Sequence, residues 1–278
     1  MKWTKPSGFD WDEEPPLSSS NVVIASSIVY VALVLVATAM SKLFLSLNSS
    51  SDALDTAGGR NKTSWKPWFG SDMKKLQTIH NINLVGSSAV MLVGVLYEVW
   101  KRANAEGSAF FLLCEDPSTA RASGAIYYWS YIYYLSKYYE LLDTVLQLCR
   151  GKPPPHFLLH VYHHAAVLIM AWGWVETKQS LQFIGLAFNT AVHVVMYTYF
   201  LQRTMTSKVP RWKNFVTQFQ IFQFFFSFVA TLFTLYYVFV KNYQCAGMKA
   251  LFFNVLFNLT LFYSFIGVLS KGKKKKSQ

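Results

Sequence analysis

His160-Val161-Tyr162-His163-His164 lies inside a mostly hydrophobic run, residues 156–176. That run is long enough to cross a bilayer, which takes about 20 residues. Histidines at i, i+3 and i+4 share one helical face. Three imidazoles on a face that could have met lipid are costly, so the face is expected to turn into a helix bundle and mark a site. The alternative is three core histidines that bond only to neighbouring helices.

The rest of the chain agrees with a membrane setting. Its 278 residues are 53% hydrophobic, 17% aromatic and 14% charged, against about 25% charged for soluble domains. The net charge of +12 is not gathered on one patch, as nucleic-acid binding would require. It sits between apolar runs and in the tail, as membrane topology places it, so no nucleic-acid partner is expected. The three cysteines, Cys114, Cys149 and Cys245, make no CxxC pair, and no GxGxxG or P-loop is present.

Seven apolar runs fall at about 22–47, 79–100, 124–146, 156–176, 180–202, 212–240 and 249–270. The fold class expected is an all-α polytopic membrane protein with seven transmembrane helices. Residues 1–21 form a polar, acidic, proline-containing segment, 22–270 the membrane domain, and 271–278 a Lys-rich tail. The acidic segment separates Lys2 and Lys5 from the first apolar run, unlike a signal peptide, so that run is read as a retained span. Sixteen Lys and Arg fall on the side of loops 48–78, 147–155, 203–213 and the tail, against eight on the other. The positive-inside rule then puts the N-terminus in the lumen and the C-terminus in the cytosol.

This orientation aligns four polar faces at one depth. The third run carries Lys137, Glu140, Asp143 and Thr144 near its cytosolic end. The fourth carries His160, His163 and His164. The fifth carries Asn189, His193, Met196 and Tyr197, and the sixth Thr217, Gln220 and Gln223. A polar chamber opening to the cytosol is expected. Singly, the carboxylates and lysine read equally as a helix-holding ion-pair network, and the glutamines as interhelical glue.

Histidine binds metal, moves protons or acts as a nucleophile. HxxHH also occurs in di-iron membrane oxygenases, which need several histidine boxes. Beyond His160, His163, His164 and His193, only His80 and His156 remain here, so no second box exists. A single zinc site remains conceivable. Without metal, a near-neutral imidazole can attack a thioester, with a carboxylate such as Asp143 orienting it. A seven-helix transporter is a further alternative, though no repeat or Gly/Pro-broken polar helix marks one.

From the third run to the tail the chain resembles the ELO family of very-long-chain fatty acid elongases. The motifs are Lys137-x-x-Glu140-x-x-Asp143-Thr144, His160-Val-Tyr-His163-His164, Asn189-x-x-x-His193-x-x-Met196-Tyr197-x-Tyr199 and Thr217-x-x-Gln220-x-x-Gln223. Phe200 departs from the pattern, which often has tyrosine there. The resemblance implies that helices two to seven form a six-helix barrel around an acyl tunnel in the endoplasmic reticulum membrane. The implied reaction condenses long-chain acyl-CoA with malonyl-CoA to 3-oxoacyl-CoA, CO2 and CoA. It implies no metal or redox cofactor, and as partners the ketoreductase, dehydratase and enoyl reductase of the elongation cycle. His163 is then the nucleophile. His160, His164 and His193 handle protons and oxyanion charge, and Lys137, Glu140, Asp143, Asn189, Tyr197, Gln220 and Gln223 position the thioester and the histidines.

Three further expectations follow from the orientation. Cys114 and Cys245 fall in lumenal loops and are candidates for a disulfide, the alternative being two free thiols, while Cys149 is cytosolic. The sequons at Asn48 and Asn61 face the cytosol and stay unmodified. Lys275 and Lys276, third and fourth from the end, resemble a dilysine retrieval signal, the alternative being a polybasic tail that meets anionic lipid.

Overall fold

The computed structural model describes residues 5–55, 72–150 and 156–274. Asn61, Pro153 to Pro155, Lys275 and Lys276 lie outside the described residues. Among those described, the regular structure is helical: α1 Ser20–Asp55, α2 Asp72–Glu106, α3 Gly124–Glu140, α4 Leu142–Cys149, α5 Phe157–Glu176, α6 Gln182–Thr206, α7 Lys213–Phe239 and α8 Met248–Lys274. Six of them, α1, α2, α5, α6, α7 and α8, contain stretches long and apolar enough to cross a membrane.

The run expected as one helix over 124–146 is divided at Leu141 into α3 and α4. Neither part is among the apolar six: α3 has 17 residues and α4 has 8, and the inward face of α3 is polar. Tyr127, Tyr131, Tyr133, Tyr134, Lys137 and Glu140 are all buried. The helix is shielded by α2, α5 and α6 rather than exposed to lipid. The first two helices also outrun their apolar cores. α1 continues to Asp55 and α2 begins at Asp72, since neither extension contains a proline or glycine to stop it. α2 ends at Gly107, whose φ of +64° supplies the left-handed residue that helix C-termini favour.

Round the bundle, α2 packs on α3, α3 on α5, α5 on α8, α8 on α7, α7 on α6, and α6 runs closely along α2. α1 stands outside this ring, against α5 and α4. Its contact stripe is Val23, Ser27, Tyr30 and Val34, all buried, at the i, i+4, i+7, i+11 spacing of one face.

One end of the ring is fastened. Cys114 and Cys245, the expected pair, form a disulfide with Cα atoms 4.9 Å apart. It joins the α2–α3 loop to the α7–α8 loop, and Cys149 is free. Beside it Arg102 grips Glu115 with two hydrogen bonds of 2.8 and 2.6 Å, the bidentate geometry that suits guanidinium and carboxylate. The Glu115 amide donates to Ser180 Oγ at 2.9 Å, and the Ala246 amide to the Glu115 carbonyl at 2.7 Å. Gly247 makes this closeness possible: its φ is +70°, and a Cβ there would lie 2.4 Å from Gln179 Cα.

The N-terminal segment is more than a polar lead-in. Phe9 and Trp11 are buried, Phe9 stacks on Tyr131 at 5.3 Å, and Trp11 Nε1 donates to Glu176 at 2.8 Å. Tyr131 and Tyr134 donate to the carbonyls of Pro16 and Leu17 at 3.1 and 2.7 Å. The aromatic residues scattered through an acidic segment thus strap it across the same end of α3 and α5.

Candidate active site

The polar residues of α3 to α6 gather into three connected groups. The first centres on a buried ion pair. Lys137 Nζ lies 2.7 Å from Glu140 Oε1, with relative exposures of 1% and 2%. A charge so buried needs several partners. Lys137 also donates to Asn189 Oδ1 at 3.3 Å and sits 4.0 Å above the ring of Tyr133. Tyr133 donates to the same Asn189 oxygen at 2.9 Å. His193 Nδ1 faces Glu140 Oε1 at 3.5 Å. The spacing of Lys137 and Glu140, one turn apart on α3, and of Asn189 and His193, one turn apart on α6, places all four on facing stripes.

The second group centres on Asp143, and here the structure corrects the sequence reading. Asp143 does not orient a histidine of the α5 box. Its Oδ1 meets His80 Nε2 of α2 at 3.0 Å, and its Oδ2 accepts from Tyr197 at 2.8 Å. Asp143, three residues beyond Glu140, thus faces α2 and α6 rather than α5. His80 was not among the expected site residues. The signal available was a lone histidine, buried, in an otherwise apolar span.

The third group is the histidine box. His160 and His164 lie with ring centroids 4.4 Å apart, and His163 and His164 at 5.4 Å. His160 Nε2 bonds Thr144 Oγ1 at 2.8 Å, and Thr144 Oγ1 bonds the hydroxyl of Tyr30 on α1 at 2.8 Å. His163 stacks on Phe257 of α8 at 5.7 Å. The Nδ1 atoms of His163 and His164 are buried without a hydrogen-bond partner. Glu140, Lys137, His193 and His160 are all electrostatic neighbours of His163, which ties the third group to the first.

The α7 residues are less engaged. Gln220 Nε2 contacts Met196 Sδ at 3.4 Å, on the α6 face that carries His193. Thr217 and Gln223 are partly exposed and make no hydrogen bond to these groups. Among the described residues no three His, Cys, Asp or Glu side chains are grouped so as to hold a metal ion. Chemically, the site offers imidazoles with open nitrogens, a buried ammonium and two buried or half-buried carboxylates. That set suits acyl transfer and proton movement.

Comparison with known proteins points the same way. The family described as ELO, GNS1/SUR4 family, matches residues 15–278. Fatty acid elongase sre1 of Dictyostelium discoideum is 34% identical over 219 residues, covering 78% of this chain and 70% of the relative. Fatty acid elongase A of the same organism is 32% identical over 202 residues, covering 71% and 72%. Very long chain fatty acid elongase 2 of Mus musculus is 30% identical over 169 residues, covering 58% and 54%. A further D. discoideum protein, 45% identical over 152 residues, is matched over 50% of its length. The chain thus spans between half and about three quarters of these relatives.

Proposed function

This chain belongs to the ELO, GNS1/SUR4 family, and from that premise we propose that it condenses a long-chain acyl-CoA with malonyl-CoA, the step that lengthens a fatty acyl chain by two carbons. The observation that carries the reading is the meeting, inside an apolar helix bundle, of the His160–His163–His164 box with the Lys137–Glu140–His193 group.

The reaction divides into two half-reactions. Nδ1 of His163 is sealed from solvent, so Nε2 attacks the thioester carbonyl. The C–S bond breaks, and CoA leaves as the thiol, taking up the proton that the imidazole loses on acylation. Malonyl-CoA then loses CO2, and the enolate so formed attacks the acyl carbon. The C–N bond breaks, and the imidazolate released takes up one proton to return to its starting form. The balance is acyl-CoA plus malonyl-CoA plus a proton to 3-oxoacyl-CoA, CoA and CO2. Decarboxylation supplies the drive, and no redox cofactor enters. His160, His164 and His193 handle protons and oxyanion charge. Lys137, Glu140 and Asn189 set His193, and Asp143 with Tyr197 and His80 braces the chamber wall. Enclosure in the bundle protects the acyl-imidazole from water.

The closed circuit of helix neighbours supports a barrel of the six elements α2, α3–α4, α5, α6, α7 and α8, with the acyl chain inside. The distribution of Lys and Arg supports a cytosolic chamber and C-terminus and a lumenal disulfide-bearing end. On this reading the protein resides in the endoplasmic reticulum membrane, beside a ketoreductase, a dehydratase and an enoyl reductase. The test is to incubate purified protein with acyl-CoA alone, then with labelled malonyl-CoA. Expected are CoA release and an acyl adduct on the His163 peptide in the first stage, and 3-oxoacyl-CoA with CO2 in the second. CoA release only after malonyl-CoA is added would refute the covalent step; no 3-oxo product from any acyl-CoA would refute the assignment.

A further inference from the structure

α1 stands outside the ring of helices, yet one of its side chains reaches the histidine box. Its inward stripe is apolar at Val23 and Val34 and polar at Ser27 and Tyr30. Ser27 is accounted for by its bonds to the carbonyls of Val23 and Ala165, at 3.0 and 3.2 Å, which seat α1 on α5. Tyr30 is different. A phenol hydroxyl at membrane depth is costly unless bonded, and the partner it finds is Thr144 Oγ1 at 2.8 Å, itself 2.8 Å from His160 Nε2. Its ring also stands edge-on to His164, with centroids 6.4 Å apart.

The chain Tyr30–Thr144–His160 has one consistent direction. Tyr30 and Thr144 each have one hydroxyl proton. If His160 donated to Thr144, and Thr144 to Tyr30, the phenolic proton would be left buried with no acceptor. If Tyr30 donates to Thr144, and Thr144 to His160 Nε2, both hydroxyl protons are used. His160 is then the tautomer with its proton on Nδ1, and because His160 is only half-buried while Tyr30 is buried, an unpartnered proton is less costly there than on the phenol. That nitrogen is left to donate to whatever charge develops beside the box.

We infer that Tyr30 is a positioning residue for the reaction proposed above: acting through Thr144, it fixes the tautomer and ring orientation of His160, so that the peripheral helix α1 completes the site. The inference rests on the condensation reading for its kinetic consequence but not for the tautomer itself.

The experiment uses the full chain in lipid nanodiscs and removes single hydroxyls: Tyr30→Phe, Thr144→Val, the conservative Thr144→Ser, and the double variant Tyr30→Phe/Thr144→Val. Histidine-15N solid-state spectra, with His160 identified by difference from His160→Gln, report the tautomer. Expected is an Nδ1–H signal in wild type and Thr144→Ser, and mixed tautomers in Tyr30→Phe and Thr144→Val. In the condensation assay Tyr30→Phe should lower kcat about five- to tenfold with KM for acyl-CoA unchanged, the scale of one lost hydrogen bond. Thr144→Ser should restore the rate, and the double variant should be no worse than Thr144→Val alone. An unchanged His160 signal and kcat in Tyr30→Phe, or losses that add independently in the double variant, would overturn the inference. A correct tautomer response in a protein that makes no 3-oxoacyl product would overturn the reaction and leave the relay.

Discussion

Glu140→Gln tests whether the ion pair at the centre of the site is a true buried pair. The substitution keeps size and shape but removes the charge that sits 2.7 Å from Lys137. Lys137, 1% exposed, would keep only neutral partners, the amide oxygen now at position 140, the carbonyl oxygen of Asn189 at 3.3 Å and the face of Tyr133 at 4.0 Å, with no counter-charge. Removing one partner of a buried pair costs about 3–5 kcal/mol, because the remaining charge is uncompensated. For a chain of this size that lowers Tm by about 6 °C or more, measured by thermal unfolding of detergent-solubilised protein. Lys137→Met/Glu140→Gln removes both charges and should recover most of the loss, since neutral replacements of a buried pair are often harmless to stability. Both variants should lack condensation activity, which separates stability from chemistry. A Glu140→Gln protein as stable as wild type would refute the reasoning, and so would a double variant no more stable than the single.

Three further outcomes are expected. His80→Phe removes the donor to Asp143 Oδ1, leaving that carboxylate with Tyr197 alone, and should lower Tm by a few degrees, with kcat falling only as far as the chamber wall loosens; an unchanged Tm would show that the pair does not brace the wall. Cys114→Ser should lose about 2–5 kcal/mol of stability, seen as a lower Tm that reductant reproduces in wild type, and peptide mapping of the untreated protein should find Cys149 alone alkylated. Gly247→Ala drives a Cβ to 2.4 Å from Gln179 Cα at a φ of +70° and should lower Tm by several degrees, whereas an unchanged Tm would show that the loop yields.

The helices were legible because apolar runs long enough for a bilayer leave few other structures. The disulfide pair was legible because orientation placed Cys114 and Cys245 on one side. The grouping of Lys137, Glu140, Asn189 and His193 was legible because helical periodicity puts each pair on one face. What periodicity does not convey is rotation between neighbouring helices. Which helices Asp143 faces, α2 through His80 and α6 through Tyr197 rather than the α5 histidines, is not written in a run of tyrosines and leucines. Tyr30 was hidden for a related reason: a single tyrosine in an apolar helix reads as lipid-facing or interfacial until its partner's position is known. Gln223 shares the i, i+3, i+6 stripe of Gln220 but makes no hydrogen bond to the three groups, a difference that spacing alone does not convey.

The structure separates what holds the helices from what reacts. The disulfide, the Arg102–Glu115 pair, the Gly247 contact and the N-terminal strap all lie where α2, α5 and α7 end and α3, α6 and α8 begin. The histidines lie toward the other ends: Glu140 is sixteen residues along α3 from Gly124, or about 24 Å of helix. A covalent tie at the chemical end would fix register more directly, but it would obstruct a substrate that must enter and a longer product that must leave. Fastening the far end fixes the register of α3, α5 and α6, because a helix is stiff over that distance, and leaves the near end free to admit the CoA thioesters of the proposed reaction. The two classes of variant should therefore diverge. Cys114→Ser and Gly247→Ala should lower Tm while leaving kcat near wild type at temperatures well below unfolding, and Tyr30→Phe should do the reverse. If loosening the fastened end lowered kcat in fully folded protein as much as Tyr30→Phe does, register would be set locally at the histidines, and this division of labour would be wrong.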